Sequence, residues 1–262
     1  MSVIAGTCYR LEGQGDPLVL IHGVGLDQHM WAAQSQALAP LFSVLRYDLY
    51  GHGQSVPAPA AVALGDYVSQ LDSLLSDLEI GPCVVIGFSL GALIARGFVR
   101  AYPARVTRLV ILNGIFRRNR QQREAVRARL ASAEQSGPAV IIDAAIERWF
   151  SPQFRASHPG VIAIVRKRLE ENDPAHFLAA YRLFAEAGGE LDAALPGISV
   201  PTLVMTGELD SGSTPLMARH MAAALAHSEL CVLPGQRHMM AVEAAPQVNR
   251  VLLEFLSARG VQ

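Results

Sequence analysis

The pentapeptide GFSLG at 87–91 places a serine where its hydroxyl could act as a nucleophile. The apolar run CVVI precedes it and the helical run LGALIARGFVRAY overlaps its end, so the pattern predicts a strand, a tight turn and a helix. Side chains at 87 and 91 would collide with the chain around such a turn, which explains glycine at both positions. The sequence therefore predicts that Ser89 is a nucleophile at the tip of this turn.

A serine hydroxyl is a weak nucleophile at neutral pH, so it requires a general base and a carboxylate that orients the base. Asp210 follows the predicted strand PTLVMTG, and His238 follows the predicted strand LCVLPG. The carboxyl ends of parallel strands lie at one edge of a sheet, where Ser89 would also lie. We therefore predict Ser89, Asp210 and His238 as a catalytic triad.

Other carboxylates and histidines compete for these roles. Glu208 is the closest competitor of Asp210, but it stands nearer to the strand, where its side chain would be less free to turn. Asp48 also follows an apolar run, yet it precedes Ser89 in the chain, and we interpret Asp48 and His52 as turn-forming residues. The remaining histidines lie in helical or loop contexts: His29, His158, His176, His220 and His227.

A tetrahedral intermediate requires two backbone N–H donors for its oxyanion. The residue after the nucleophile, Leu90, is the first candidate, and Val24, in a glycine-rich segment after the run PLVLI, is the second. This segment lacks the pattern of a phosphate-binding loop. The histidines and cysteines lack metal-ligand spacing, so we predict neither a metal nor a cofactor.

The elements that would position these residues alternate between apolar runs and helical patterns. Several runs are apolar at successive positions, which is typical of parallel strands covered on both faces. The sequence thus predicts an α/β fold with a mostly parallel, doubly wound sheet, and we expect a hairpin within 2–13 to add antiparallel edge strands. The predicted strands are 17–21, 42–47, 83–86, 106–112, 201–206 and 230–233. The predicted helices are 62–79, 90–101, 214–226 and 245–258.

One long segment interrupts this alternation. Residues 116–189 contain helical patterns and Gly-Pro, Ser-Pro, His-Pro and Asp-Pro breaks, but no convincing strand. We therefore predict a helical cap at 116–189, inserted into a core domain formed by 1–115 and 190–262. We interpret the six arginines of 117–129 as a solvated helix face, because they recur too often for all of them to face inward.

Composition limits the partners. The formal net charge of -1 gives no excess of Lys and Arg for binding nucleic acid or an anionic membrane, so we expect a small-molecule partner. Three scattered cysteines and the absence of a signal-peptide or membrane-spanning pattern favour the cytoplasm. The sequence does not indicate an oligomeric state.

Five segments, LIHGVG, YDLYGHGQS, GFSLGA, TGELD and GQRHMMAVEAAP, together resemble the α/β-hydrolase superfamily in order and spacing. ERWFSPQF, LEENDPAHFLAAYRLF and HGVGLDQHMW are similar to segments of 3-oxoadipate enol-lactonases and related small carboxylesterases. This resemblance implies a cytoplasmic, cofactor-free ester or lactone hydrolase of aromatic-compound catabolism. It also implies the triad and oxyanion residues named above. The chain departs from these relatives at Arg237 and at 185–189, which leaves the substrate open.

Several functions remain alternatives. Haloalkane dehalogenases and epoxide hydrolases carry aspartate where this chain has Ser89, whereas short-chain carboxylesterases and cofactor-free perhydrolases stay open. A small-molecule receptor on a hydrolase fold is an alternative of another class. Within the cap, Arg148, Trp149 and Phe150 are candidates for lining a substrate pocket, and Arg148 could pair with a substrate carboxylate.

Overall fold

The computed structural model describes residues 1–59 and 61–258. Its strands form one sheet in the order β1-β2-β4-β3-β5-β6-β7-β8. Neighbours from β4 to β8 pair in parallel, and β1 and β2 form an antiparallel edge. The strands are β1 (Ser2–Ile4), β2 (Thr7–Glu12), β3 (Asp16–Ile21), β4 (Phe42–Tyr47), β5 (Cys83–Phe88), β6 (Val106–Leu112), β7 (Thr202–Gly207) and β8 (Ser228–Leu233).

Helices connect the strands and form the insertion. In the described part of the chain, none of them is long and apolar enough to cross a membrane. The helices are α1 (Ala32–Leu38), α2 (Leu64–Asp77), α3 (Leu90–Ala101), α4 (Arg120–Ser136), α5 (Ile142–Trp149), α6 (Pro152–Ser157), α7 (Pro159–Glu170), α8 (Pro174–Glu186), α9 (Glu190–Ala193), α10 (Pro215–Ala224), α11 (Met240–Glu243) and α12 (Ala245–Ser257).

The sheet is covered on both faces, because alternate residues of its central strands belong to two different apolar clusters. Val19 and Ile21 of β3 pack in one cluster with side chains of α2, α3 and α10. Leu18 and Leu20 pack in the other with side chains of α1 and α12. The side chains of a strand point to opposite faces in turn. This arrangement confirms the predicted doubly wound sheet.

The predicted elements agree with the observed ones to within about two residues at most ends. The antiparallel hairpin at the N-terminus is confirmed by the pairing of β1 with β2. The prediction omitted α1, α9 and α11, which span only seven, four and four residues, because so short an amphipathic pattern is weak. It also ended β5 at Ile86, whereas the strand continues through Phe88 to the turn at Ser89.

Six helices, α4 to α9, lie between β6 and β7, the first five of them within 116–189, and no strand occurs among the described residues of that interval. Their own apolar cluster includes Val126 and Leu130 of α4 and Phe177 and Tyr181 of α8. The helical insertion agrees with the predicted cap. Its boundaries at residues 116 and 189 remain our proposal.

Candidate active site

Ser89 occupies a strained turn between β5 and α3, with φ 55° and ψ -109°. A Cβ atom at Gly87 would meet the carbonyl oxygen of Gly91, and one at Gly91 would meet the carbonyl oxygen of Ile21. Glycine is therefore required at both positions by the close approach of the backbone. Residues held in such sparsely populated conformations occur preferentially at functional sites.

His238 and Asp210 form a buried hydrogen-bonded pair at the carboxyl edge of the sheet. The Nδ1 of His238 lies 2.7 Å from the Oδ2 of Asp210. The other carboxylate oxygen accepts hydrogen bonds from the backbone N–H groups of Gly212 and Ser213 at 2.8 and 3.0 Å. Burial opposes the charge of Asp210, but His238 and these donors outweigh burial and lower the pKa of the carboxyl group.

Asn113 also holds the carboxylate of Asp210, and the sequence analysis missed it. Its Nδ2 donates to the Oδ2 of Asp210 at 2.8 Å, and the residue is fully buried just beyond β6 with φ 49°. An Asn-Gly pair directly after the apolar run LVIL was an available signal. Asparagine tolerates left-handed backbone conformations and offers an amide donor at a strand end.

The competing carboxylates lie elsewhere. Glu208 is exposed and accepts a hydrogen bond from the backbone N–H of Gly235 at 2.9 Å. Asp48 is buried and accepts from the backbone N–H groups of Gln28 and Gln54 at 2.8 and 2.9 Å. These bonds give Asp48 a role in the turn that follows β4. The structure thus brings Asp210 to His238, and not Glu208 or Asp48.

Ser89, Asp210 and His238 line one cavity of about 420 Å³. The rings of Phe88 and Trp149 flank the imidazole of His238, with ring centroids 5.0 and 6.0 Å away. Cavities of a few hundred Å³ with mostly apolar walls and a few polar groups are typical small-molecule sites.

The two predicted oxyanion donors lie beside Ser89. Val24 lines the cavity, and a Cβ atom at its neighbour Gly23 would stand 3.2 Å from the Cβ of Ser89. Leu90 is the first residue of α3, where a helix offers no internal acceptor for the N–H group. That these two N–H groups donate to a developing oxyanion stays our prediction.

Two of the three predicted pocket residues of the cap line the cavity in the structure, and the third does not. Arg148 and Trp149 line the cavity. The prediction for Phe150 is wrong, because its side chain is fully buried in the apolar cluster beneath the cap and stacks on Phe154 at a centroid distance of 5.4 Å. The backbone leaves helical conformation at Phe150, and its side chain packs in the same apolar cluster as Ile142 and Ile146 of α5.

Two of the six arginines of 117–129 also depart from the predicted solvated face. Arg118 is buried and Arg129 is half-buried, and both line the cavity. The other four arginines of this segment are exposed, as expected. The prediction was wrong for Arg118 and Arg129 because α8 packs against α4 and covers one side of it.

The sheet order, the inserted helices and the serine turn define the class of protein. Residues 18–251 match the Alpha/beta hydrolase family, and the chain belongs to that family.

Individual relatives are also hydrolases. The (E)-2-((N-methylformamido)methylene)succinate hydrolase of Acinetobacter baylyi is 33% identical over 95% of this chain and 93% of that protein. The crystal structure of the enol-lactonase from Burkholderia xenovorans LB400 has a TM-score of 0.88 at 27% identity and covers 96% of both chains. A malate-bound thermophilic esterase from Thermogutta terrifontis has a TM-score of 0.86 at 29% identity and covers 95% of this chain and 92% of that one.

Proposed function

We propose that this chain is a serine hydrolase that cleaves a small carboxylic ester or lactone through a covalent acyl-enzyme. The observation that carries the proposal is the 2.7 Å bond between His238 and Asp210, in the same cavity as the strained turn of Ser89. Since the ionised Asp210 accepts a hydrogen bond from the Nδ1–H group of His238, the Nε2 atom of His238 remains as the base.

Each side chain has a distinct step in this reaction. As His238 Nε2 removes the hydroxyl proton, Ser89 Oγ attacks the carbonyl carbon, and the N–H groups of Val24 and Leu90 stabilise the oxyanion. The imidazolium, stabilised by Asp210, then protonates the departing alkoxide oxygen as the C–O bond breaks. Water, deprotonated by the same imidazole, attacks the acyl-enzyme, and the carboxylic acid leaves as Ser89 regains its proton.

The cavity of about 420 Å³ has the size of a typical small-molecule site, which favours short-chain or small cyclic substrates. The resemblance to enol-lactonases favours a lactone. Amide hydrolysis is a second candidate, because the relative that is 33% identical is named for an N-methylformamido compound. The same acyl-transfer chemistry serves both bonds, and the named ligands of two relatives, a succinate and malate, are acids.

General carboxylesterase and cofactor-free perhydrolase activities use the same triad, and a small-molecule receptor would bind at the same cavity. We also propose the cytoplasm as the compartment, which is supported by three cysteines without a disulfide, Cys8, Cys83 and Cys231.

The test is a screen of the purified protein against p-nitrophenyl acetate, butyrate and octanoate, and against small lactones and formamides. Ser89→Ala serves as the blank. We expect Ser89-dependent turnover of about 1 s⁻¹ or more on at least one short substrate, since typical enzymes exceed that rate. Product release over hours would favour a receptor, and equal rates in the wild type and Ser89→Ala would contradict the proposal.

A further inference from the structure

Three arginines from the cap segment line the cavity that contains Ser89. Arg118 precedes α4, Arg129 lies on α4, and Arg148 lies on α5. Asp210 is the only acidic residue in the cavity wall of the described chain, and it is paired with His238. The wall therefore carries three guanidinium charges against one carboxylate, which leaves two positive charges in excess.

None of the three guanidinium groups lies within ion-pair distance of a carboxylate in residues 1–59 and 61–258. Burial lowers the pKa of Arg118 to about 10, and the positive charge of Arg129 contributes to this decrease. Burial and the charge of Arg129 also lower the pKa of Arg148. The charges of Asp192 and Asp210 oppose the decreases at Arg118 and Arg148, respectively, but burial outweighs them and neither carboxylate is within ion-pair distance, so a bound anion would relieve the cost of burial.

The hydrogen bonds of the three side chains indicate which of them can reach a ligand. Arg129 donates through Nε to the hydroxyl oxygen of Tyr181 at 3.1 Å, which orients the side chain and leaves its two terminal nitrogens for the cavity. Within residues 1–59 and 61–258, the side chain of Arg148 makes one long hydrogen bond, from Nη1 to the carbonyl oxygen of Ala144 at 3.3 Å. Both side chains therefore keep terminal N–H groups for a planar carboxylate, which guanidinium binds in a bidentate manner.

Arg118 is held more firmly. Its Nη1 donates to the carbonyl oxygens of Phe184 and Ala185 at 2.8 and 3.2 Å, and its guanidinium lies 4.5 Å above the ring of Phe184. Such a side chain contributes a fixed positive charge to the cavity, but it has fewer donors left for direct contact with a ligand.

We propose that the cavity selects a dianionic substrate, in which Arg129 and Arg148 each bind a carboxylate and Arg118 adds a fixed positive charge. The substrate would thus be a dicarboxylic acid that carries the ester, lactone or amide bond. The nature of the cleaved bond rests on the proposed function, whereas the charge preference is a property of the cavity wall alone. A cavity of about 420 Å³ has room for a four- or five-carbon dicarboxylate with a small acyl or leaving group.

Binding without turnover provides the test, with succinate and its neutral isostere succinamide as probes. Calorimetry with the Ser89→Ala protein should give a succinate Kd at least roughly 10-fold lower than the succinamide Kd, since one charge-assisted hydrogen bond accounts for about that factor. Arg129→Gln or Arg148→Gln in that background should each reduce this preference by roughly 10-fold. Arg129→Lys and Arg148→Lys keep the positive charge and should retain part of the preference for succinate. Circular dichroism checks that each variant is folded.

Arg120→Gln is the matched control, because Arg120 lies on the same helix as Arg129 but is 88% exposed and outside the cavity. It should leave both affinities unchanged. Equal binding of succinate and succinamide would overturn the proposal, as would a succinate preference that survives both Gln substitutions. Increasing ionic strength should weaken succinate binding and leave succinamide binding unchanged.

Kinetics separate this proposal from the proposed function. The wild type should hydrolyse 2-acetoxysuccinate with a kcat/KM at least roughly 10-fold above that of 2-acetoxybutanediamide, for the same electrostatic reason. Turnover that prefers the diamide would reject the charge preference and leave the serine hydrolase intact. Selective succinate binding with no Ser89-dependent turnover of any ester, lactone or amide would reject the hydrolase and leave the charge preference intact.

Discussion

His238 and Asp210 are 28 residues apart in the sequence, yet the Nδ1 of the histidine lies 2.7 Å from the carboxylate of the aspartate. β8 and the turn after it bring the two together, because β7 and β8 are parallel neighbours whose carboxyl ends lie side by side. The bond fixes the tautomer of the imidazole and directs Nε2 away from Asp210.

Asp210→Asn should lower kcat by about 10³ to 10⁴-fold with the fold intact, because an amide can stabilise the wrong imidazole tautomer and carries no negative charge. Steady-state kinetics and circular dichroism check this. Glu208→Gln is the matched control, since the side chain of Glu208 is exposed and, among the described residues, hydrogen-bonded only to the backbone N–H of Gly235. Equal damage from both substitutions would mean that the acid is wrongly assigned.

Asn113→Gly tests a positioning role for the amide that contacts Asp210. Glycine retains the left-handed backbone of this position, so the variant removes the 2.8 Å bond without adding strain. Asn113 is one of the donors that lower the pKa of the Asp210 carboxyl group, so its loss should raise that pKa and move the acid limb of the kcat profile to higher pH. kcat at neutral pH should fall by roughly 10-fold. A purely structural role would lower stability and leave the position of the acid limb unchanged.

Arg237→Ala tests whether the cap is anchored through the loop that carries His238. The Nη1 of Arg237 donates to the carbonyl oxygen of Glu147 at 2.6 Å, next to the cavity residues Arg148 and Trp149. An exposed bond of this kind contributes about 0.5 to 1 kcal/mol, so KM should rise about 3-fold while kcat stays within about 2-fold. Arg250→Ala, on the exposed side of α12, is the control. A fall in kcat with unchanged KM would instead assign Arg237 to the positioning of His238.

His52 should make the protein sensitive to acid. The residue is buried, its Nε2 has no hydrogen-bond partner in the described chain, and the ring of His22 lies 5.3 Å away. Burial, reinforced by His22, lowers the pKa of His52 to about 3. The unfolded chain binds this proton near pH 6.5 and the folded chain only near pH 3, so the free energy of unfolding should fall as the pH decreases between those values.

The measurement is urea unfolding of the wild type and His52→Gln at several pH values between 4 and 7. Glutamine keeps a donor for the carbonyl oxygen of Tyr50 but does not titrate. The pH dependence of the free energy of unfolding should be shallower in the variant by up to about 1.4 kcal/mol per pH unit, which corresponds to one proton. Equal slopes in the two proteins would show that His52 is not the group responsible.

The sequence was informative where local geometry dictates residue type. Glycines at 87 and 91 are required by backbone contacts, so the pentapeptide around Ser89 identifies its own turn. Asp210 and His238 could be predicted because each directly follows an apolar run, and the carboxyl ends of parallel strands share an edge.

The sequence was uninformative where the packing of helices determines whether a side chain faces the cavity, the apolar core or solvent. Arg129 and Arg127 lie two residues apart on α4, yet one lines the cavity and the other is exposed, because α8 covers one side of the helix. Trp149 lines the cavity whereas its neighbour Phe150 is buried in an apolar cluster, and α5 ends between the two residues. Packing among five short helices is a tertiary property that the spacing of residues in one sequence does not reveal.

Covalent labelling of Ser89 tests the central claim most directly. The purified protein is treated with a fluorophosphonate, and the modified peptide is located by mass spectrometry. We expect one adduct, on Ser89, in the wild type. We expect no adduct in Ser89→Ala, and labelling at least about 10³-fold slower in His238→Ala because the hydroxyl then lacks its base. An adduct on another residue, or no adduct in protein shown to be folded by circular dichroism, would mean that Ser89 is not the nucleophile.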